Sequence, residues 1–153
     1  MSNDVIKTIN EGDVLFVKGE AINQLYLIRS GEIGLFWEKE KHLVPYKRVS
    51  AKEFIGEEEL FSHKAWPWTA IVLSGEVQYV PFTKKEVQAA LKECPDWVSS
   101  LLKVLCERFA DTADIIQEHN IIDEYSDQLF EIDEKHENFY KRKVLEYRQE
   151  KGA

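Results

Sequence analysis

The chain has 153 residues, 44% of them hydrophobic, and a formal net charge of -8. That suits one domain with an appended helical segment, and no stretch is apolar for the roughly 18 residues a membrane span needs. The acidic balance argues against a nucleic-acid binder, which would carry a basic footprint. The opening Met1-Ser2-Asn3-Asp4 lacks the basic region and apolar run of a signal peptide. Cys94 and Cys106 read as small buried hydrophobes in helix. A reduced, cytoplasmic protein with no membrane or nucleic-acid partner is expected.

The first half is strand-rich. Segments 5–9, 14–17, 25–29, 33–38, 43–49, 69–73 and 77–82 are short and rich in β-branched or aromatic residues. Turn signals separate them, among them Glu11-Gly12-Asp13, Lys18-Gly19-Glu20, Ser30-Gly31-Glu32 and Ser74-Gly75-Glu76. Strands at this spacing predict an antiparallel jelly-roll barrel, a double-stranded β-helix, and exclude a parallel βαβ sheet.

The period changes at Thr83, where Thr83-Lys84-Lys85-Glu86 has the form of a capping box. Val87, Leu91 and Cys94 mark the inner side of a short helix, and Pro95 suits the start of a longer one. Val98, Leu102, Leu105, Phe109, Thr112, Ile116 and His119 then recur at alternating spacings of four and three, a heptad seam that predicts a dimerising helix. A second seam, Ile122, Tyr125, Leu129, Ile132, His136 and Phe139, is out of step with the first, which predicts a break near Asn120. Lys141-Arg142-Lys143 through Lys151 read as a charged, fraying helix end. The expected division is a barrel with short helices at 1–94, a long helix at 95–119 and a charged helical extension at 120–153.

Gly19-Glu20, Leu25-Tyr26-Leu27-Ile28, Ser30-Gly31-Glu32-Ile33, Phe54-Ile55-Gly56-Glu57 and Pro67-Trp68-Thr69-Ala70 occur in the order found in one family. From about Ile9 to His119 the chain resembles the cyclic-nucleotide-binding domain of catabolite-type regulators, protein kinase A regulatory subunits and cyclic-nucleotide-gated channels. Asn23 stands where that family commonly has aspartate. The resemblance implies a phosphate-binding cassette running from Gly56-Glu57 to Thr69-Ala70. There, backbone N–H groups and a helix end would face the cyclic phosphate, and Glu57 would accept from the ribose hydroxyl. The family's phosphate-clamping arginine is replaced by Trp68. An indole offers one neutral donor and no charge, and losing a charge-assisted hydrogen bond costs about 1.5–3 kcal/mol. Glu58 and Glu59 add negative charge beside Glu57, while Lys64 or Lys47 could swing toward the phosphate position.

The candidate ligand residues are therefore Gly56, Glu57, Glu58, Trp68, Thr69 and Ala70. Trp66 and Trp68 either fill the barrel mouth or form an exposed aromatic patch for a partner protein. The jelly roll is also shared with cupin-type metal enzymes, but His42, His63, His119 and His136 are not paired at ligand spacing, and no nucleophile elbow, P-loop or CxxC is present. No metal, cofactor or catalytic residue is expected. About 34 residues follow His119, too few and too acidic for a helix-turn-helix module. The leading expectation is a stand-alone, homodimeric regulatory or scaffold module with impaired cyclic nucleotide binding, acting through an unidentified protein partner. The alternative is a sensor of cyclic AMP, cyclic GMP or another small ligand, using Glu57, Thr69, Ala70 and stacking on Trp68.

Overall fold

The computed structural model describes residues 5–57, 59–60, 64–119 and 130–152, with positions 109–110 and 113–119 described by backbone alone. The strands are β1 (Lys7–Asn10), β2 (Val14–Phe16), β3 (Gln24–Lys39), β4 (His42–Val49), β5 (Phe54–Ile55) and β6 (Thr69–Thr83). The helices are α1 (Lys84–Lys92), α2 (Asp96–His119) and α3 (Glu134–Glu150). All strand pairings are antiparallel, in the order β1-β6-β3-β4, with β2 on β6 and β5 on β3. The result is a jelly-roll barrel followed by helices.

Two turns expected from the sequence are not turns. Segments 25–29 and 33–38 are one strand, β3, and segments 69–73 and 77–82 are one strand, β6. The two strands pair from Gln24↔Thr83 to Phe36↔Thr69, and the register slips where Ser30-Gly31-Glu32 passes Ser74-Gly75-Glu76. A bulge adds a residue without reversing the chain, so it bends the strand and exchanges which residues face inward. Tyr26 and Ile28 face the core before the bulge, and Ile33, Leu35 and Trp37 after it; β6 changes likewise from Ala70 and Val72 to Val77 and Tyr79. Gly31 has φ +87°, and a Cβ there would lie 2.6 Å from the carbonyl oxygen of Glu76. Only glycine fits both the backbone and the approaching strand.

A second apolar cluster lies outside the barrel. Val17, Phe36, Leu43 and Ile71 turn outward and are covered by Tyr140 and Val144 of α3. The expected seam through Ile132 and His136 is broken here, because residues 130–133 are not helical; its members Ile122, Tyr125 and Leu129 lie outside the described residues. Residues 141–151 are likewise no fraying end. They form the packed second half of α3, whose apolar side is buried against the barrel.

Polar contacts fix the register of α3. Asp133 caps it, accepting from the His136 N–H at 2.7 Å. Glu137 accepts from the Leu43 N–H at 3.2 Å, contacts His42 Nδ1 at 3.0 Å and meets Lys141 Nζ at 3.2 Å. Arg148 reaches both oxygens of Glu38 at 2.9 Å. At the other end of the barrel the capping box forms as expected. The Glu86 N–H donates to the Thr83 hydroxyl at 3.2 Å, and the Thr83 N–H donates to the Glu86 carboxylate at 2.8 Å. Cys94 is neither helical nor buried: it follows α1 in an exposed turn, while Cys106 is half-buried on α2.

Candidate functional site

The short strand β5 pairs with Tyr26 and Leu27 and delivers the chain to Gly56, which has φ +99°. The N–H groups of Glu59 and Leu60 both donate to the Gly56 carbonyl, at 3.2 and 2.9 Å, closing a single turn. A Cβ on Gly56 would stand 2.7 Å from the Trp66 ring, and that ring stacks on Phe16 at 3.8 Å between centroids and 10° between planes. Gly56 is thus required by the backbone and by core packing together.

Trp68 and Trp66 both belong to the barrel core. They are 4% and 3% exposed, so of the two readings the rings fill the interior and form no exposed aromatic patch. Both residues lie in the segment just before β6, and both rings turn into the core, where each buries a large area. The Trp68 ring packs on Tyr46 at 4.8 Å, and Tyr46 stacks on Trp37 at 4.6 Å, forming a row of three aromatics. Among the described residues, Trp68, Tyr46, Leu35, Phe54, Gly56 and Glu57 line a cavity of about 10 Å³. That is room for one water molecule, against about 300–1,000 Å³ for an ordinary ligand pocket. The indole N–H of Trp68 has no hydrogen-bond partner among the described residues.

The expected site residues divide between two places. Gly56, Glu57 and Trp68 line the cavity, together with Lys47 and the buried carboxylate of Glu59. Ala70 is fully buried in the same core. Glu58 lies outside the described residues. Thr69 is elsewhere: strand alternation turns its side chain to the outer face, where the hydroxyl donates to Glu38 at 2.7 Å and accepts from the Lys18 N–H at 3.0 Å. Glu38 in turn holds Arg148, so Thr69 belongs to the α3 contact rather than to the cavity. Lys64 is exposed, and its carbonyl accepts from the Ile22 N–H at 3.0 Å.

Tyr46 and Leu35 line the site without a signal in the sequence that marks them as ligand residues, and Phe54 of the Phe54-Ile55-Gly56-Glu57 motif lines it too. Val44 and Tyr46 both pack on the core, an alternation that was the readable signal for β4. Cys106 was read as a buried packing residue, yet its thiol donates to the Glu57 carbonyl at 2.7 Å and ties α2 to the turn. Of the seam on α2, Val98 is half-buried, Leu102 and Leu105 are each 37% exposed, and Thr112 is exposed with its hydroxyl donating to the Arg108 carbonyl. Phe109 and Ile116 lie on the same helix, their side chains outside the described residues. Among the described residues no helix is long and apolar enough to cross a membrane.

Several solved structures share this architecture. The chain is similar to the cyclic-AMP-bound EAL enzyme Bd1971, with 23% identity over 76% of this chain and 31% of that one, at a TM-score of 0.61. It is similar to the N-terminal domain of a transcriptional regulator from Streptomyces coelicolor A3(2), at 25% identity over 80% of this chain and 81% of that one, TM-score 0.58. The catabolite activator protein of Thermus thermophilus shares the fold at 17% identity over 76% and 55% of the two chains, TM-score 0.60. This chain thus spans only 31% of the Bd1971 enzyme. A search of curated proteins found no match. The family model for the cyclic nucleotide-binding domain matches residues 6–94, and with the barrel, the Gly56 turn and the helices in the family's order, the chain belongs to that family.

Proposed function

We propose that this chain is a non-catalytic, cytoplasmic regulatory or scaffold module in which the family's ligand pocket has been filled by its own side chains. The observation that carries the reading is the Trp68 ring, packed on Tyr46 and bordering a cavity of about 10 Å³ where a ligand would need to sit. A cyclic nucleotide could enter only by expelling that ring. Losing a buried tryptophan's packing costs about 3–5 kcal/mol, which weakens binding by about a hundredfold or more. The position also lacks the paired N–H groups that clamp a phosphate, and Glu57 and Glu59 face the cavity opposite a single Lys47.

Output then runs through protein contacts. The apolar seam on α2, with Leu102 and Leu105 still partly exposed, suits a second copy of the chain packed helix to helix. Calorimetry of the purified chain with cyclic AMP and cyclic GMP tests the reading. No saturable heat is expected, and micromolar or tighter binding of either nucleotide overturns it. Trp68→Arg, which empties the ring and restores a guanidinium, should gain affinity relative to the parent.

A further inference from the structure

Helices α1 and α2 meet at an angle that leaves a groove of about 690 Å³, bordered by Lys84, Gln88, Lys92, Ser99, Ser100 and Lys103. These side chains are hydrogen-bond donors, and three carry full positive charge in a chain whose net charge is -8. Asp96, the one acid on the groove, sits in the first turn of α2, where the helix dipole complements it. On α3, by contrast, Lys141 pairs with Glu137 and Lys143 with Asp13. Lys84, Lys92 and Lys103 make no ion pair among the described residues.

An apolar stripe runs along α2 beside the groove. Trp97 is 65% exposed, Leu101 47% and Val104 42%. At spacings of four and three these side chains share one side of the helix, next to Ser100 on the groove and apart from Leu102, Cys106 and the barrel. An exposed tryptophan flanked by aliphatics is the composition of an interface anchor.

We propose that this groove and stripe together bind an acidic amphipathic helix of a partner protein. Its apolar side would pack on Trp97, Leu101 and Val104, and its flanking carboxylates would lie over Lys92, Lys103 and Lys84. Charge complementarity selects an anionic partner, and an apolar stripe bordered by a lysine-lined cleft suits the apolar face and acidic flank of an amphipathic helix. A flat anionic bilayer would meet the stripe but could not follow the cleft beside it. The proposal rests on the reading of the chain as a protein-binding module and names the surface and the chemistry of the partner.

The test uses the full chain and a short fluorescein-labelled synthetic helix, with leucines at i, i+3, i+4 and i+7 and glutamates along its flanks. A second helix with lysines in place of the glutamates serves as control, beside vesicles of phosphatidylserine and phosphatidylcholine. The acidic helix should bind with an affinity that falls as salt rises, and the lysine helix should not. The double variant Lys92→Glu/Lys103→Glu should weaken binding about tenfold or more, and Lys92→Gln/Lys103→Gln by less. Leu101→Ser should weaken it while leaving the salt dependence in place. Equal binding of both peptides, no loss in either double variant, absence of binding, or association with vesicles alone overturns the proposal. Nucleotide binding in the calorimeter would instead overturn the filled-pocket reading and leave the groove standing.

Discussion

Trp68→Ala probes the filled pocket most directly. The ring is 4% exposed and packed at a tilt on Tyr46, so truncation removes a fully packed aromatic, a change that costs about 3–5 kcal/mol. Of this, about 0.5–1.5 kcal/mol belongs to the ring contact itself. One effect opposes the loss. The buried indole N–H has no partner among the described residues, and removing an unsatisfied neutral donor recovers about 1 kcal/mol. The net destabilisation is therefore about 2–4 kcal/mol, which in a domain of this size lowers Tm by about 4–16 °C. Trp68→Phe keeps an aromatic ring against Tyr46 and removes the same N–H, so it should cost no more than about 1 kcal/mol. Urea unfolding followed by far-UV circular dichroism measures all three proteins without relying on tryptophan emission. The space opened in the alanine variant is apolar, and such cavities take up aromatic molecules. Added indole should raise the Tm of Trp68→Ala and leave the parent unmoved. A loss below about 0.5 kcal/mol on truncation is the signature of a surface residue, and would refute the placement of the ring in the barrel.

Tyr140→Ala removes the residue that seals α3 onto Phe36, and urea unfolding should show a loss of about 2–4 kcal/mol. Arg148→Ala breaks a two-pronged contact with the half-buried Glu38 and should cost about 1 kcal/mol, read as faster amide exchange across α3. Desolvation raises the pKa of Glu137, but hydrogen bonds from His42, the Leu43 N–H and Lys141 outweigh it and hold the carboxyl below its usual range. A lowered folded-state pKa gives stability that is complete above the unfolded value, near pH 4.3, and fades as pH falls through the folded one. Limited proteolysis of α3 should therefore accelerate below about pH 4, and Glu137→Gln should flatten that dependence. Phe109→Glu should halve the sedimenting mass if the α2 seam joins two copies, and an unchanged mass in a folded variant removes the dimer.

The strands were legible because β-branched runs and glycine turns mark them, and the capping box at Thr83 was legible because its chemistry is local. The two bulged corners were not, since Ser-Gly-Glu reads alike whether the chain reverses or merely bends. The docking of α3 left a sign that went unread. Gly34-Leu35-Phe36-Trp37 and Thr69-Ala70-Ile71-Val72 are buried without interruption. An antiparallel strand wetted on one face alternates, so an unbroken run demands cover on both faces. The cassette was legible as an order of residues, and its substituted position was evident. That Trp68 would turn inward while Thr69 turned to Glu38 depended on the register of β6, which is fixed by pairing partners far along the chain.

The β3–β6 ladder carries one more consequence. Its last rung, Phe36↔Thr69, closes an excursion that contains β4, β5 and the turn at Gly56. Closing a long loop costs entropy that grows only slowly with its length, so residues added between β5 and β6 should be cheap in equilibrium stability. The kinetics differ, because strands this far apart in sequence must meet before the rung can form. Changes to the length of that excursion should therefore register in the rate at which the barrel zips shut, well before they register in how firmly it stays closed.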